Sequence, residues 1–259
     1  MSNAHEQICV MIMARDAAED IGSCIASVIG AGEVIVADTG SLDATRELAA
    51  AAGATVMEFA WEGFGKTRNR IFKTATREWI FWLDSDERVT AELWESVSRA
   101  VNRSGTGSPA GYQVRRRACF LGKWMRGGGW GRDSVLRLFR SDSWSMEERK
   151  VHEGVSIRGG TDLLAGELLH YTDRTLDHYL VKFNRYTTLA AREMHESGRR
   201  MNTGDILIRP PWTFLRMYLL KGGFIDGLAG LVLAVLSGAY VFVKYMKLWE
   251  LNRSCDTGE

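Results

Sequence analysis

The sharpest chemistry in this sequence lies at Trp79–Arg88, WIFWLDSDER. Five apolar residues, Trp79 to Leu83, are followed abruptly by Asp84, Ser85, Asp86 and Glu87. A short apolar run bounded by charge reads as a strand buried on both faces. It delivers carboxylates to the rim of a sheet, and in open α/β sheets that rim is where ligands bind. Like charges this close repel and raise each other's pKa. The cluster therefore makes most sense with a cation held between it and something anionic. Asp84 and Asp86 stand two residues apart, and in an extended turn both can reach one hard cation, which prefers oxygen ligands. The plainer alternative is a solvated helix start, since acids favour the first turn. Asp38 closes a second apolar run, in DTGSLD, and would face the same crevice. As a simple strand-to-helix turn with Ser41 as N-cap it needs no ligand.

Basic residues supply the opposite sign. Lys66 and Arg68 open a helix, where they could meet a phosphate or a nucleobase. Gly65-Lys66-Thr67 also suggests the phosphate loop of a nucleotide triphosphatase. The full spacing needs glycine at position 60, where this chain has Ala60, with Trp61 next to it. Arg115-Arg116-Arg117 alternates along a strand, Arg115 and Arg117 on one face and Arg116 on the other. Such forks suit phosphate, and a solvated strand face is the bland alternative. His152-Glu153 carries no weight by itself. His170, His178 and His195 lack ligand spacing and read as structural.

The elements that must position these groups alternate regularly. Strands are expected at Ile8–Met13, Val34–Ala37, Thr55–Phe59 and Trp79–Leu83, and helices at Ala17–Ile29 (apolar face Ile21, Ile25, Val28, Ile29), Leu42–Ala52, Lys66–Thr76 and Ala91–Val101. Four alternations in about a hundred residues describe a parallel sheet covered on both faces. A turn-rich break at 104–109 separates them from strands at Gly111–Phe120, Ser134–Arg140 and Val151–Ile157, the glycine- and tryptophan-rich loop Trp124–Arg132, and a long helix at Leu176–Glu196. The 259 residues suffice for one large domain or a domain with an appendage. A formal net charge of +1 gives no bulk case for nucleic acid. Cys9, Cys24, Cys119 and Cys255 form no C-x-x-C pair, which fits a reducing cytoplasm. No signal peptide opens the chain, and Ser2-Asn3-Ala4 is set aside as a cloning remnant.

Together, Met11–Asp16, DTGSLD and the apolar strand running into DSDE resemble the GT-A domain of family 2 glycosyltransferases. GFGKTRNRIF, VLRLFR, VHEGV, LLHYTDRTLDHYLVKFNRYTTLAARE and GFIDGLAGLVLAVLSGAYVFVKYMKLWE resemble one subgroup, which adds glucose or a related sugar to heptose in the lipopolysaccharide or lipooligosaccharide inner core. The resemblance implies an α/β fold: a GT-A, Rossmann-like, mostly parallel sheet with flanking helices at 6–200 (nucleotide-sugar half 6–103, acceptor half 110–200). It is followed by a C-terminal helical membrane-associating segment at 208–251. It implies that Asp38, Lys66, Arg68 and Asp84 bind a UDP-sugar donor. Asp84 and Asp86, Asp86 most directly, would hold Mg2+ or Mn2+. Glu153, with His152, would be the base, although many relatives carry a Glu-Asp pair there. Arg115, Arg117 and Trp130 would meet a lipid-anchored oligosaccharide acceptor. The implied reaction is an inverting transfer of a hexose, glucose first, from the UDP-sugar to heptose. The alternatives are a phosphate-loop triphosphatase and a non-catalytic, membrane-bound sugar-nucleotide-binding protein.

The C-terminal segment reads in two parts. Ile208–Leu220 mixes Arg209 and Arg216 with Trp212, Phe214, Leu215, Met217 and Tyr218, which suits a helix lying in an anionic membrane surface. Gly222–Val243 holds one charge, Asp226, and is long enough to span. A single span would export Lys244, Lys247 and Arg253, against the positive-inside tendency. The expectation is therefore peripheral or monotopic attachment to the cytoplasmic face of the inner membrane.

Overall fold

The computed structural model describes residues 4–103, 105, 107–131, 133–146 and 155–256. The chain forms two compact units, residues 1–116 with 134–170 and residues 117–133 with 171–259. In the first, β1 (Ile8–Ala14), β2 (Glu33–Asp38), β3 (Thr55–Glu58) and β4 (Trp79–Asp84) are parallel, in the order β3-β2-β1-β4. Helices α1 (Ile21–Ala26), α2 (Thr45–Ala51) and α3 (Phe64–Phe72) join them. After β4 come β5 (Glu87–Val89), α4 (Ala91–Asn102), β6 (Gly111–Phe120), β7 (Lys123–Trp124), β8 (Asp133–Arg140), β9 (Trp144–Met146), β10 (Val155–Ile157) and β11 (Thr161–Asp173). The sheet continues β4-β8-β6-β11-β5, with β7 on β6, and β9 pairs β10 separately. β8 runs antiparallel to β4 and β5 antiparallel to β11. This mixed sheet with flanking helices is the GT-A-like arrangement expected.

β4 shows why the run WIFWLD is a strand. Its side chains alternate between two core layers: Trp79, Phe81 and Leu83 join one, and Ile80 and Trp82 the other. β1 does the same, with Ile8, Val10 and Ile12 on one side and Cys9 and Met11 on the other. Each buried side chain of this size contributes roughly 1.5–3 kcal/mol.

Three expectations change. α1 is shorter than 17–29; the Ala17 and Ala18 amides that precede it bond to Thr45 Oγ1 (2.7 Å) and Asp43 Oδ2 (3.0 Å). Ile29 is 81% exposed, off the face formed by Ile21, Cys24, Ile25 and Val28. The third helix starts at Phe64 and stops at Phe72, short of Thr76. The 13-residue strand β11 was not expected. Gly166, at φ +89°, interrupts its pattern, and a Cβ there would stand 2.4 Å from the Leu93 amide nitrogen.

The second unit holds α5 (Leu176–Glu196), α6 (Thr203–Leu207), α7 (Arg209–Leu215), which continues as a π-helical turn over Arg216–Leu220, and α8 (Gly227–Asp256). Asp226 is buried before α8. Its carboxylate accepts the amides of Arg126 (3.0 Å) and Gly127 (2.8 Å), and its carbonyl accepts Lys123 Nζ (2.6 Å). A Cβ on Gly127 would meet the Gly222 carbonyl at 2.1 Å, so the glycine-rich loop packs backbone to backbone.

Candidate active site

The chain runs β1, β2, β3 to one side of the sheet and then crosses to β4 on the other side of β1. The crevice at such a reversal, beyond the carboxyl ends of the strands, is where ligands bind in open α/β sheets. The register puts Asp38 opposite Ala14 and Asp84 opposite Met13. The two acids therefore flank the end of β1, about 10 Å apart by strand spacing.

Asp84 ends β4, Glu87 starts β5, and Ser85-Asp86 is the turn between them. Arg88 holds this turn, donating to the Ser85 (3.1 Å) and Glu87 (2.8 Å) carbonyls and to Asp20 Oδ1 (2.7 Å). Glu87 is fully buried, and its Oε2 accepts the Asp84 amide at 3.0 Å. Arg137, from β8, donates through Nη2 to Asp84 Oδ2 (2.8 Å) and Glu87 Oε1 (2.5 Å). Arg68 Nη2 lies 3.9 Å from Asp84 Oδ1, its guanidinium 5.3 Å from the Trp82 ring centre. Arg116 Nη1 lies 3.8 Å from Glu87 Oε1.

These guanidiniums answer the repulsion that the sequence alone poses. Burial would raise Asp84, but Arg137 and then Arg68 outweigh it and hold the carboxyl below the ordinary aspartate range. Glu87 moves upward: burial dominates, Arg137 opposes it and the Asp84 charge adds to it. Burial disfavours the charge on Arg137, but Glu87 and Asp84 more than offset that, and it stays protonated. Asp86 Oδ2 lies 3.3 Å from His170 Nε2, and the same imidazole also acts on Asp84 and Glu87. The β5–β11 register pairs His170 with Glu87, which brings the imidazole to the turn.

The other expected residues are distributed as follows. Asp38 is buried, its oxygens accepting the amides of Gly40 (3.1 Å) and Ser41 (3.2 Å) and the Ser41 hydroxyl. These are the bonds of its own turn. The loop after β1 is fastened to that turn: Asp16, at φ +49°, accepts the Leu42 amide (2.8 Å) and gives its own amide to Ser41 Oγ (3.0 Å). A non-glycine residue in this region is a strained feature typical of ligand-binding loops. Lys66 is exposed in the first turn of α3. Thr67 is buried, and its hydroxyl accepts the Glu62 amide (3.0 Å), which ties the loop before α3 to its first turn.

Arg115 is exposed on β6, and Arg116, on the opposite face, is the member of the basic run that reaches the acids. In the second unit, Arg117 lies 5.7 Å from the Trp124 ring, and Trp130 packs edge-on to Phe120 at 5.8 Å beside Met125 and Leu233. His152 and Glu153 lie outside the described residues, between β9 and β10 in the chain.

Sequence reading missed Arg137, Glu87 and His170 as site residues. Arg137 gave one signal: an arginine inside the apolar strand VLRLFR must find a buried acid. His170 gave none, because only its pairing with β5 brings it to Asp86.

The family described as glycosyl transferase family 2 matches residues 9–154, more than half of the chain. The chain belongs to glycosyltransferase family 2. It is 29% identical over 242 residues to the lipopolysaccharide core biosynthesis glycosyltransferase LpsC of Rhizobium meliloti (strain 1021), covering 89% of this chain and 87% of that one. An uncharacterised glycosyltransferase of Rickettsia prowazekii (strain Madrid E) is 21% identical over 257 residues, with 95% and 88% covered. Among solved structures, S. aureus TarS 1-349 aligns over 96% of this chain and 92% of its own, at 14% identity and TM-score 0.48. Glucosyl-3-phosphoglycerate synthase from Mycobacterium tuberculosis, solved with Mn2+, UDP and glucosyl-3-phosphoglycerate, aligns over 45% and 46%, at 24% identity and TM-score 0.35.

In this glycosyltransferase no group of three or more His, Cys, Asp and Glu side chains among the described residues is placed to hold a metal by itself. Asp86 and His170 offer one oxygen and one nitrogen 3.3 Å apart. Two protein donors fit a divalent cation that completes its shell with phosphate oxygens and water.

Proposed function

We propose that this glycosyltransferase is a metal-dependent, inverting hexosyltransferase. Its donor is a UDP-sugar, UDP-glucose the first to test. Its acceptor is a heptose or similar sugar of a lipid-anchored lipopolysaccharide core, met at the cytoplasmic face of the inner membrane. The acceptor class rests on the likeness to LpsC along most of both chains. The observation that carries the chemistry is the division of labour in the acid cluster. Arg137 and Arg68 pair with Asp84, and Asp86 faces His170.

Mg2+ or Mn2+ bound there would neutralise the diphosphate and stabilise the leaving nucleotide. Asp86, with His170, would hold it, and Asp84 would stay ionised to orient the turn and the donor. Arg68 and Lys66 would lie toward the nucleotide, and Asp38 would shape the pocket for uracil or ribose through its turn. Glu153, from the VHE motif, is the candidate base that removes the acceptor hydroxyl proton. Direct displacement then converts an α-linked donor sugar into a β-linked product.

Transfer of labelled glucose from UDP-glucose to heptose-terminated core oligosaccharide tests this reading. Asp86→Ala should lower transfer at least ~10²-fold, and Glu153→Gln should do so without weakening UDP binding. Full transfer by Asp86→Ala would refute the metal assignment.

A further inference from the structure

The second unit leaves an apolar face uncovered. Ile208, Trp212, Leu215 and Leu219 follow one another at helical spacing along α7 and its π-helical turn, and Ile225 and Leu228 stand exposed in the 3-10 turn that follows and at the start of α8. All six are exposed, from 42% for Leu215 to 75% for Leu228. This is a surface that water does not favour.

α8 is long and apolar enough to cross a bilayer, but its C-terminal half is fastened to α5. Tyr240 packs on Phe183 at 5.7 Å. Lys247 Nζ bonds to the Asn184 carbonyl (3.0 Å) and to the hydroxyls of Thr187 (2.8 Å) and Thr188 (2.7 Å). His195 Nδ1 meets Asn252 Oδ1 at 2.9 Å. α5 carries Arg185, Arg192, Glu193 and Glu196, and a helix so charged does not enter hydrocarbon. The start of α8 is tied down too, through buried Asp226. The exposed large apolar side chains of α8 form a seam at seven-residue spacing: Leu228, Val235, Phe242 and Trp249. Beside it, Phe242 and Phe214 help to line an apolar groove of about 490 Å³ between α7 and α8.

We infer that this face seats the enzyme on an anionic phospholipid bilayer, lying in the interface rather than crossing it. The inference rests on the membrane location proposed above and identifies the surface responsible. Charge selects the occupant. Residues 206–225 include Arg209, Arg216 and Lys221 and no acid. Arg209 already pairs with Asp205 at 2.7 Å, whereas Arg216 and Lys221 are exposed beside the apolar row. An apolar face edged by cations suits anionic headgroups over acyl chains. A second copy meeting the same face about a two-fold axis would bring like cations together.

The test is flotation of the full chain with phosphatidylcholine vesicles, with and without 30% phosphatidylglycerol, at low and high salt. The native chain should float with the anionic vesicles at low salt and ~tenfold less with neutral ones. Trp212→Glu with Leu219→Glu should lower binding to anionic vesicles at least tenfold, with melting temperature and UDP binding unchanged. Arg216→Glu with Lys221→Glu should abolish the preference for phosphatidylglycerol. A native chain that stays with the soluble fraction, or a Trp212/Leu219 variant that floats as before, overturns the inference. So does a variant that loses only self-association, which would mean that a second copy covers the face. Transfer activity is read separately through Asp86→Ala, so failure of docking and failure of the transferase reading are told apart.

Discussion

Arg137 reaches Asp84 at 2.8 Å and Glu87 at 2.5 Å from a strand about fifty residues further along the chain. Its removal would leave the buried Glu87 carboxylate and the half-buried Asp84 carboxylate facing each other. Arg137→Ala should therefore cost about 3–5 kcal/mol and lower the melting temperature by roughly 10 °C, measured by thermal unfolding. Arg137→Lys should recover only part of this, because an ammonium is a point charge without the guanidinium fork. The thiols give a second check at this scale. Burial first, and then the charge of Glu33, pushes Cys9 up to about 12. At pH 8 its thiolate fraction is of the order of 10⁻⁴, so brief alkylation of the native protein should spare Cys9, and alkylation in denaturant should modify it. Rapid native labelling of Cys9 would show that the first strand is not buried as described.

At the scale of elements, the glycines and one acid decide how segments dock. Gly166 lets β11 pass close to α4, and Gly166→Ala brings both a positive φ and a 2.4 Å clash with the Leu93 backbone. A loss above ~2 kcal/mol is expected in denaturant titration. Asp226 is the only charge in the apolar stretch 222–243, and it serves as a clamp on the 124–131 loop rather than as a break in a membrane span. Asp226→Ala leaves the buried Gly127 amide and the part-buried Arg126 amide without their acceptor. It should cost about 2–4 kcal/mol and open the loop to proteolysis near Arg126. Unchanged proteolysis would argue against the clamp.

For the whole molecule, the two-donor site makes a statement about order of binding. On the proposed reading, Asp86 and His170 alone would hold a cation weakly, and the donor diphosphate would supply the missing oxygens. Calorimetry should therefore find weak Mn2+ binding to the free enzyme and at least ~tenfold tighter binding with UDP present, with UDP affinity raised by the same factor. EDTA should abolish transfer, and added Mn2+ should restore it. Tight Mn2+ binding without nucleotide would mean that further ligands exist.

The sequence by itself determined the α/β class, the four parallel strands, the acidic strand end and the family. Each of these is written in a local pattern: an apolar run long enough for a strand, an abrupt change to charge, a motif in order. β4 and its DSDE turn were legible because burial on both faces leaves a continuous apolar run. β11 was not legible, because Gly166 breaks its alternation and its partner β5 lies about eighty residues earlier. The site divides in the same way. That acids gather at the end of β4 is a sequence fact; which of them is available to a cation is not. Like-charge repulsion alone does not separate Asp84 from Asp86; the family resemblance already favours Asp86 as the more direct metal ligand, without showing what surrounds each acid. Folding brings Arg137 and Arg68 to Asp84 and His170 to Asp86. The tertiary structure decided that difference because Coulomb interactions depend on distance in space, and these partners are separated from the acids by between about 16 and 84 residues of chain.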